Sequence, residues 1–300
     1  MKKIEIQTDG MRLDIAMYSY FNEEISRSQI TVKIKSGEIT LNGDKVKAGT
    51  ILRAGDIVEV KDTEHTEDIR AEDIALDIVW QDTHLMIINK PRGMVVHPGA
   101  GVRSGTMLNA LLHIQREKGL LRGGIVHRLD KNTAGLVIVA KSLKAQALLG
   151  SMIEARTVNR TYLGLVEGRL LGEGTINKNI VRDSRYRTLF VATDRNEGRA
   201  AVTHWKSLDV YKFGSKYVSL VEFRLETGRT HQIRVHAKSI GHALVADPEY
   251  NPNSSIKLNG QLLESIRLEF VHPITKENLK FCIEPSEEFR KVIARLVKLV

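Results

Sequence analysis

Eleven residues, TEHTEDIRAED from Thr63 to Asp73, constrain the fold of this chain more than any other stretch. They carry five acids and one base, with little apolar content and no hydrophobic period. A segment of this kind has almost nothing to bury, so it reads as an interdomain linker rather than as part of a core. The chain then divides into a small domain, residues 1–62, and a large one, residues 74–300. Charge divides at the same place: the small domain balances ten bases against ten acids, while the large one sets 34 bases against 21 acids. With 42% hydrophobic residues in 300, each side has enough apolar sequence for its own core.

In the small domain, apolar residues recur at helical spacing from Leu13 to Phe21 and from Ile30 to Ile34, and Ser26 or Ser28 can cap the second helix. EITL and IVEV then alternate, punctuated by Asn42-Gly43 and Gly55-Asp56. Asn-Gly accepts the positive φ that tight hairpin turns need, so two helices followed by short strands are predicted. The residues RLD at 12–14, SRS at 26–28, IKSGEITLNG at 34–43 and LRAGDIVEV at 52–60 resemble an S4-type RNA-binding domain across the whole module. In that family the second helix and the loop after it face RNA phosphates. The resemblance therefore implies Arg27, Ser28, Gln29, Lys33 and Lys35 as RNA contacts; the plainer alternative is the solvated face of an amphipathic helix.

In the large domain, LMIIN, GLVIVA, TYLGLVEG, VSLVEFRLET and HQIRVHA read as strands, whereas LNALLHIQREK and LKAQALLGSMIEAR have helical spacing. An α+β fold follows, with a mixed, mainly antiparallel sheet flanked by helices. The single cysteine, Cys282, cannot form an intrachain disulfide, and its neighbours Phe281 and Ile283 suggest a buried strand. The N-terminal residues lack the apolar core of a signal peptide, and no apolar run approaches the roughly 18 residues that span a bilayer. A soluble, cytoplasmic, monomeric protein is expected. A net charge of +9 and a pI near 9.5 favour a polyanionic partner over an acidic small molecule.

The segment VHRLDKNTAG approaches through apolar residues, turns a polar corner closed by Gly135 and leaves through another apolar run. Flanking strands would hold that backbone while Asp130 is presented at the corner, among bases that keep a carboxylate ionised for work as a nucleophile or base. A second cluster, LETGRTHQIRVHA, offers Arg229 and Arg234 five apart on an expected strand, hence on opposite faces. One of them would fork onto Asp130 with two hydrogen bonds. His231 and His236 share that spacing and have no cysteine to join them, which argues against zinc. No P-loop occurs, and Ser104 spoils PGAGVRSG as a dinucleotide fingerprint, so no cofactor is expected. Asp130 has no second carboxylate in a comparable motif, which argues against a glycoside hydrolase.

Together, NKPRGMVVHPGAGVRSGTMLNALL, GGIVHRLDKNTAGLVIVAK, RTYLGLVEG and LETGRTHQIRVH resemble the RluA/RluD family of RNA pseudouridine synthases over nearly the entire chain. The resemblance implies cofactor-free conversion of uridine to pseudouridine in RNA, most plausibly large-subunit ribosomal RNA, on a base flipped out of its helix. It implies Asp130 as the catalytic carboxylate, Tyr162 as the aromatic that stacks on uracil and Arg234 as the partner of Asp130. Arg128 is implied in displacing the flipped base, with His127 and Arg229 as further substrate contacts. An inactive RNA-binding or ribosome-assembly factor of the same fold is the alternative, and the intact set of Asp130, Tyr162 and Arg234 speaks against it. Two segments depart from the family pattern. GHALVADPEY has Ala243 and Ala246 where Pro and Gly are usual, and QLLES stands at 261–265 in place of QALHA. Neither is expected to touch Asp130, Tyr162 or Arg234.

Overall fold

Leu13 and Met17, one helical turn apart, meet Ile30 and Ile34 at the centre of the small unit. A computed structural model describes residues 2–7, 9–21, 27–61, 69–99, 101–115, 120–186 and 188–299. The chain forms two units, Met1–Asp68 and Ile69–Val300. The first comprises β1 (Lys2–Glu5), α1 (Leu13–Tyr20), α2 (Arg27–Ser36), β2 (Ile39–Leu41) and β3 (Ile57–Val60). Both helices bury their apolar stripes against Leu52 and against Ile39, Leu41 and Val58 of an antiparallel sheet ordered β1-β3-β2. Asn42 and Gly43, with φ of 53° and 87°, form the two-residue turn read from sequence. Strand β1 was not anticipated, because its alternating residues are few and Ile4 and Ile6 are only partly buried. The Lys33 ammonium lies 2.8 Å from Glu38, and Lys35 is exposed. The side chains of Arg27, Ser28 and Gln29 lie outside the described residues.

The second unit runs β4 (Asp77–Gln81), β5 (Leu85–Lys90), α3 (Met107–Ile114), β6 (Ala134–Ala140), α4 (Leu143–Glu154), β7 (Asn159–Glu167), β8 (Glu173–Asn177), β9 (Asn179–Arg182), β10 (Phe190–Thr193), β11 (Val202–Phe213), β12 (Lys216–Leu225), α5 (Gln232–Ser239), β13 (Leu263–Val271), β14 (Asn278–Cys282), α6 (Glu287–Ile293) and β15 (Val297–Lys298). Among the described residues ten strands form one sheet, ordered β15-β11-β12-β7-β13-β6-β5-β4, with β8 beside β11 and β14 beside β13. The β6–β13 pair is parallel and the other pairings are antiparallel. Helices α3 and α5 bury Leu108, Leu111, Ile233 and Ala237 with Val137, Val139, Val221 and Phe223. Helix α4 buries Ala145 and Leu149 with Leu136, Ile138 and Ala140. Strand β6 is thus covered on both faces, which is why GLVIVA is apolar without alternation.

Three expectations need correction. HQIRVHA is not a strand but the start of α5. Its residues from Gln232 to Ala237 are all buried, so no solvent-facing side marks the helical period. His231, at φ 57°, turns the chain into the helix, while Gln232 Oε1 accepts the Arg229 N–H at 2.9 Å and the Thr227 hydroxyl at 2.7 Å. Cys282 does lie on a strand, but it is exposed, because β14 alternates exposed and half-buried residues. Residues 63–68 of the expected linker lie outside the described residues. The remainder is not free chain: Ile69 packs against the core around α3, Asn109 Nδ2 donates to the Arg70 carbonyl at 2.7 Å, and Glu72 accepts the Gly105 N–H at 3.0 Å. Hydrogen bonds between side chains and backbone, with Ile69 against the core, fix this acidic segment. Among the described residues, no helix is long and apolar enough to cross a membrane.

Candidate active site

Asp130 stands in the short loop that leads into β6, and neighbouring segments pin that loop at its backbone. Lys131 offers its carbonyl to the Gly93 N–H at 2.9 Å and to Lys90 Nζ at 3.2 Å. Arg92 Nη1 donates to the Asn132 carbonyl at 3.0 Å, and Gln261 Nε2 to the Thr133 hydroxyl at 3.0 Å. Gly135 closes the corner as read from sequence. Its φ is +108°, and a Cβ there would fall 2.2 Å from the Ser265 carbonyl oxygen of β13.

Arg234, on α5, reaches Asp130 Oδ2 through Nη1 at 3.3 Å. The fork expected on Asp130 lies elsewhere. The two-pronged bond goes to Asp247, whose carboxylate accepts from Nε and Nη2, each at 2.8 Å. Nη2 also donates to Glu249 Oε2 at 2.6 Å, and the guanidinium stacks 4.8 Å from the centre of the Tyr250 ring. Burial alone would lower the Arg234 pKa, but the hydrogen bonds and charges of Asp247, together with Asp130 and Glu249, raise it. Arg234 is therefore a permanent cation held by a buried acid, and it turns Nη1 toward Asp130.

Both residues line a cleft of about 540 Å³, together with Tyr162, His127, Arg128, Arg160 and Arg229. Tyr162, 4% exposed, forms part of the wall from β7, and burial raises the pKa of its hydroxyl. Arg128 is exposed at the cleft. Arg229 does not compete for Asp130, since its Nε donates to the Ala200 carbonyl at 3.1 Å. Its spacing from Arg234 spans a turn and the start of a helix rather than opposite faces of a strand. His127 Nε2 accepts the Ile138 N–H at 3.0 Å. Burial, reinforced by Arg160, pushes the His127 pKa down to about 3, so the ring is neutral and carries its proton on Nδ1. His236 is occupied by Thr203 Oγ1 at 2.9 Å and the Lys178 carbonyl at 3.1 Å, and His231 by the Tyr250 hydroxyl at 2.9 Å.

Sequence reasoning missed four residues at this site. Lys90 is fully buried and donates to the carbonyls of Pro91, Met94 and Lys131 at 2.9, 2.9 and 3.2 Å. Burial lowers its pKa to about 7, against the upward pull of the Asp130 charge. Asp247, Glu249 and Tyr250 belong to GHALVADPEY, which was not expected to touch the site. The segment instead holds Arg234, and Ala246 adopts φ 59°, the left-handed conformation that the family's usual glycine accepts without strain. QLLES is close as well: Leu263 lines the cleft and Ser265 faces Tyr162 in the sheet register. The signal available in sequence was the Asp of ADPEY, an acid amid apolar residues.

A family model described as RNA pseudouridylate synthase matches residues 84–239, and an S4 domain model matches residues 11–58. The chain is 40% identical over 279 residues to an uncharacterized RNA pseudouridine synthase of Bacillus subtilis, covering 91% of this chain and 90% of that protein. It is 38% identical over 304 residues to ribosomal large subunit pseudouridine synthase D of Xanthomonas campestris, covering 96% and 89%. Among solved structures, human RNA pseudouridylate synthase domain containing 1 superposes with a TM-score of 0.62 at 23% identity, over 77% of this chain and 91% of that one, a likeness of fold.

Proposed function

The chain belongs to the RNA pseudouridylate synthase family and carries an S4 domain ahead of the synthase part; from that premise we propose that it modifies large-subunit ribosomal RNA, with Asp130 as the reacting carboxylate. The enzyme isomerises uridine to pseudouridine in RNA. The observation that carries the site reading is the setting of Asp130. It lines a cleft with Tyr162 and several arginines, and its ion-pair partner Arg234 is itself locked by Asp247. Breaking N1–C1′, turning the base and joining C5 to C1′ needs one carboxylate in fixed geometry, an apolar surface for the rotating ring and cations for the flanking phosphates. Tyr162 supplies the surface, and Arg128 and Arg229 the contacts to the flipped nucleotide. In the S4 domain, Arg27, Lys33 and Lys35 meet phosphates; Lys33 exchanges its Glu38 partner for RNA. The basic hairpin β9–β10 adds further phosphate contacts.

The ribosomal substrate rests on relatives named ribosomal large subunit pseudouridine synthase D, 37–38% identical over 96–98% of this chain. A cytoplasmic monomer fits such a substrate. The reading is tested by mapping pseudouridines in ribosomal RNA from cells with and without the gene. Loss of one or more large-subunit sites, restored by wild type and not by Asp130→Asn, is the expected result. An unchanged pseudouridine map would reject it.

A further inference from the structure

Arg160 is 4% exposed and lines the cleft from β7, two residues before Tyr162 and on the same face of the strand. Among the described residues its Nε has no hydrogen-bond partner and no acid pairs with the guanidinium. Two acids of the cleft are committed elsewhere: Glu226 to Arg156 at 2.9 Å and His204 at 2.8 Å, Asp130 to Arg234 at 3.3 Å. The guanidinium instead lies over Gly228, where a Cβ would stand 2.9 Å from Nη1. A second orphan lines the same cleft. His127 Nδ1 is buried without a partner among the described residues, and because Nε2 accepts from Ile138, that nitrogen is a donor. Desolvating a cation and a ring N–H without acceptors is strongly unfavourable, so a site that keeps both awaits an electron-rich oxygen.

Resting on the reading above, we propose that Arg160, with the Nδ1–H of His127, holds the carbonyl oxygens of the target uracil and stabilises the negative charge that gathers on them during isomerisation. The charge arises whichever role Asp130 takes. Attack at C1′ forms an O–C1′ bond and breaks N1–C1′, whose electron pair stays with uracil and spreads to O2 and O4. Removal of the C2′ proton expels the same pair as the C1′–C2′ double bond forms. Addition at C6 moves the C5–C6 π pair toward O4. In each case the charge is discharged as C5 bonds to C1′: the O–C1′ ester breaks and frees the carboxylate in the first route, the C2′ proton returns in the second, and N1–C1′ and then C6–O break in the third, while the C5 proton leaves and N1 takes one up. Donors fixed in a dry wall act on such charge more strongly than water does.

The test compares glycosidic cleavage in single turnover on one RNA carrying either uridine or 5-fluorouridine at the target. Fluorine withdraws electrons from the departing base and so reduces its need for the donor. Arg160→Met should slow uridine cleavage about a hundredfold or more while RNA affinity stays within about threefold. On 5-fluorouridine the loss should be at least about tenfold smaller. Equal losses on both bases, or an affinity loss as large as the rate loss, overturns the proposal. Arg160→Met should also melt at or above the wild-type temperature, because an unpaired buried cation is gone; a lower melting temperature makes Arg160 structural and rejects the idea. Arg160→Lys, which keeps the charge, should recover part of the rate, and no recovery counts against it. Wild-type pseudouridine formation in the same assay is the control, so failure of the underlying reading is seen separately.

Discussion

Replacing Asp130 with Asn separates chemistry from stability because of how Arg234 is anchored. If Asp130 were the sole counter-ion of a buried guanidinium, removing its charge would strand that cation at about 3–5 kcal/mol. The structure gives a smaller number. Asp130 takes one N–H at 3.3 Å and keeps 18% of its side chain exposed, whereas the fully buried Asp247 takes two at 2.8 Å and Glu249 a further one at 2.6 Å. Losing one long, partly solvated contact costs about 1 kcal/mol or less, and Asn can still accept it. For a unit of this size that is a fall in melting temperature of about 2–4 °C. Catalysis should collapse, because an amide is neither nucleophile nor base: pseudouridine formation should fall at least about ten-thousandfold. RNA binding, spread over phosphate contacts, should change little. The informative control is Asp247→Asn, which removes the fork and should destabilise by about 3–5 kcal/mol. Thermal melts, RNA binding and product formation on one RNA make the comparison. A folded Asp130→Asn protein working near the wild-type rate would refute the site assignment; a melt depressed as far as that of Asp247→Asn would refute the account of Arg234.

Three further outcomes follow from particular residues. Lys90 titrates at about 7 in the fold against 10.5 when free, so between these values the native state binds fewer protons than the unfolded one. Wild-type stability relative to Lys90→Met should therefore rise by up to about 1.4 kcal/mol per pH unit above pH 7, and parallel urea-denaturation curves for the two proteins across that window would contradict it. Ala246→Gly relieves a left-handed alanine at φ 59° and should stabilise by about 1 kcal/mol or slightly less, measured by urea unfolding; destabilisation would mean that the buried methyl matters more than the strain. RNA affinity should fall at least about a hundredfold between low and moderate salt, as phosphate contacts from the basic synthase unit release counterions, and a flat salt dependence would remove that electrostatic footing.

The elements that local chemistry dictates were legible before any coordinates. Leu13, Met17, Ile30 and Ile34 announce two amphipathic helices, Asn42-Gly43 a tight turn, and GLVIVA a strand. Asp130 was legible for the same reason: a polar corner between two apolar runs, closed by a glycine, presents its acid wherever the strands go. HQIRVHA was misread because a helix buried on every side has no solvent face, and its alternating polar and apolar residues then imitate a strand. Long-range partnership was the other thing that spacing along the chain could not supply. Lys90 lies 40 residues before Asp130 and Asp247 13 residues after Arg234, yet the pairing of β5 with β6 brings Lys90 onto the Asp130 loop and the docking of α5 brings Arg234 onto Asp247. Sequence determined which side chains could carry charge and how each short segment would fold. Only tertiary packing decided which charges are buried together, because desolvation and pairing depend on the neighbours that other parts of the chain bring. That is why Asp247 rather than Asp130 holds the fork of Arg234, and why, among the described residues, no acid pairs with Arg160 in the wall of the site.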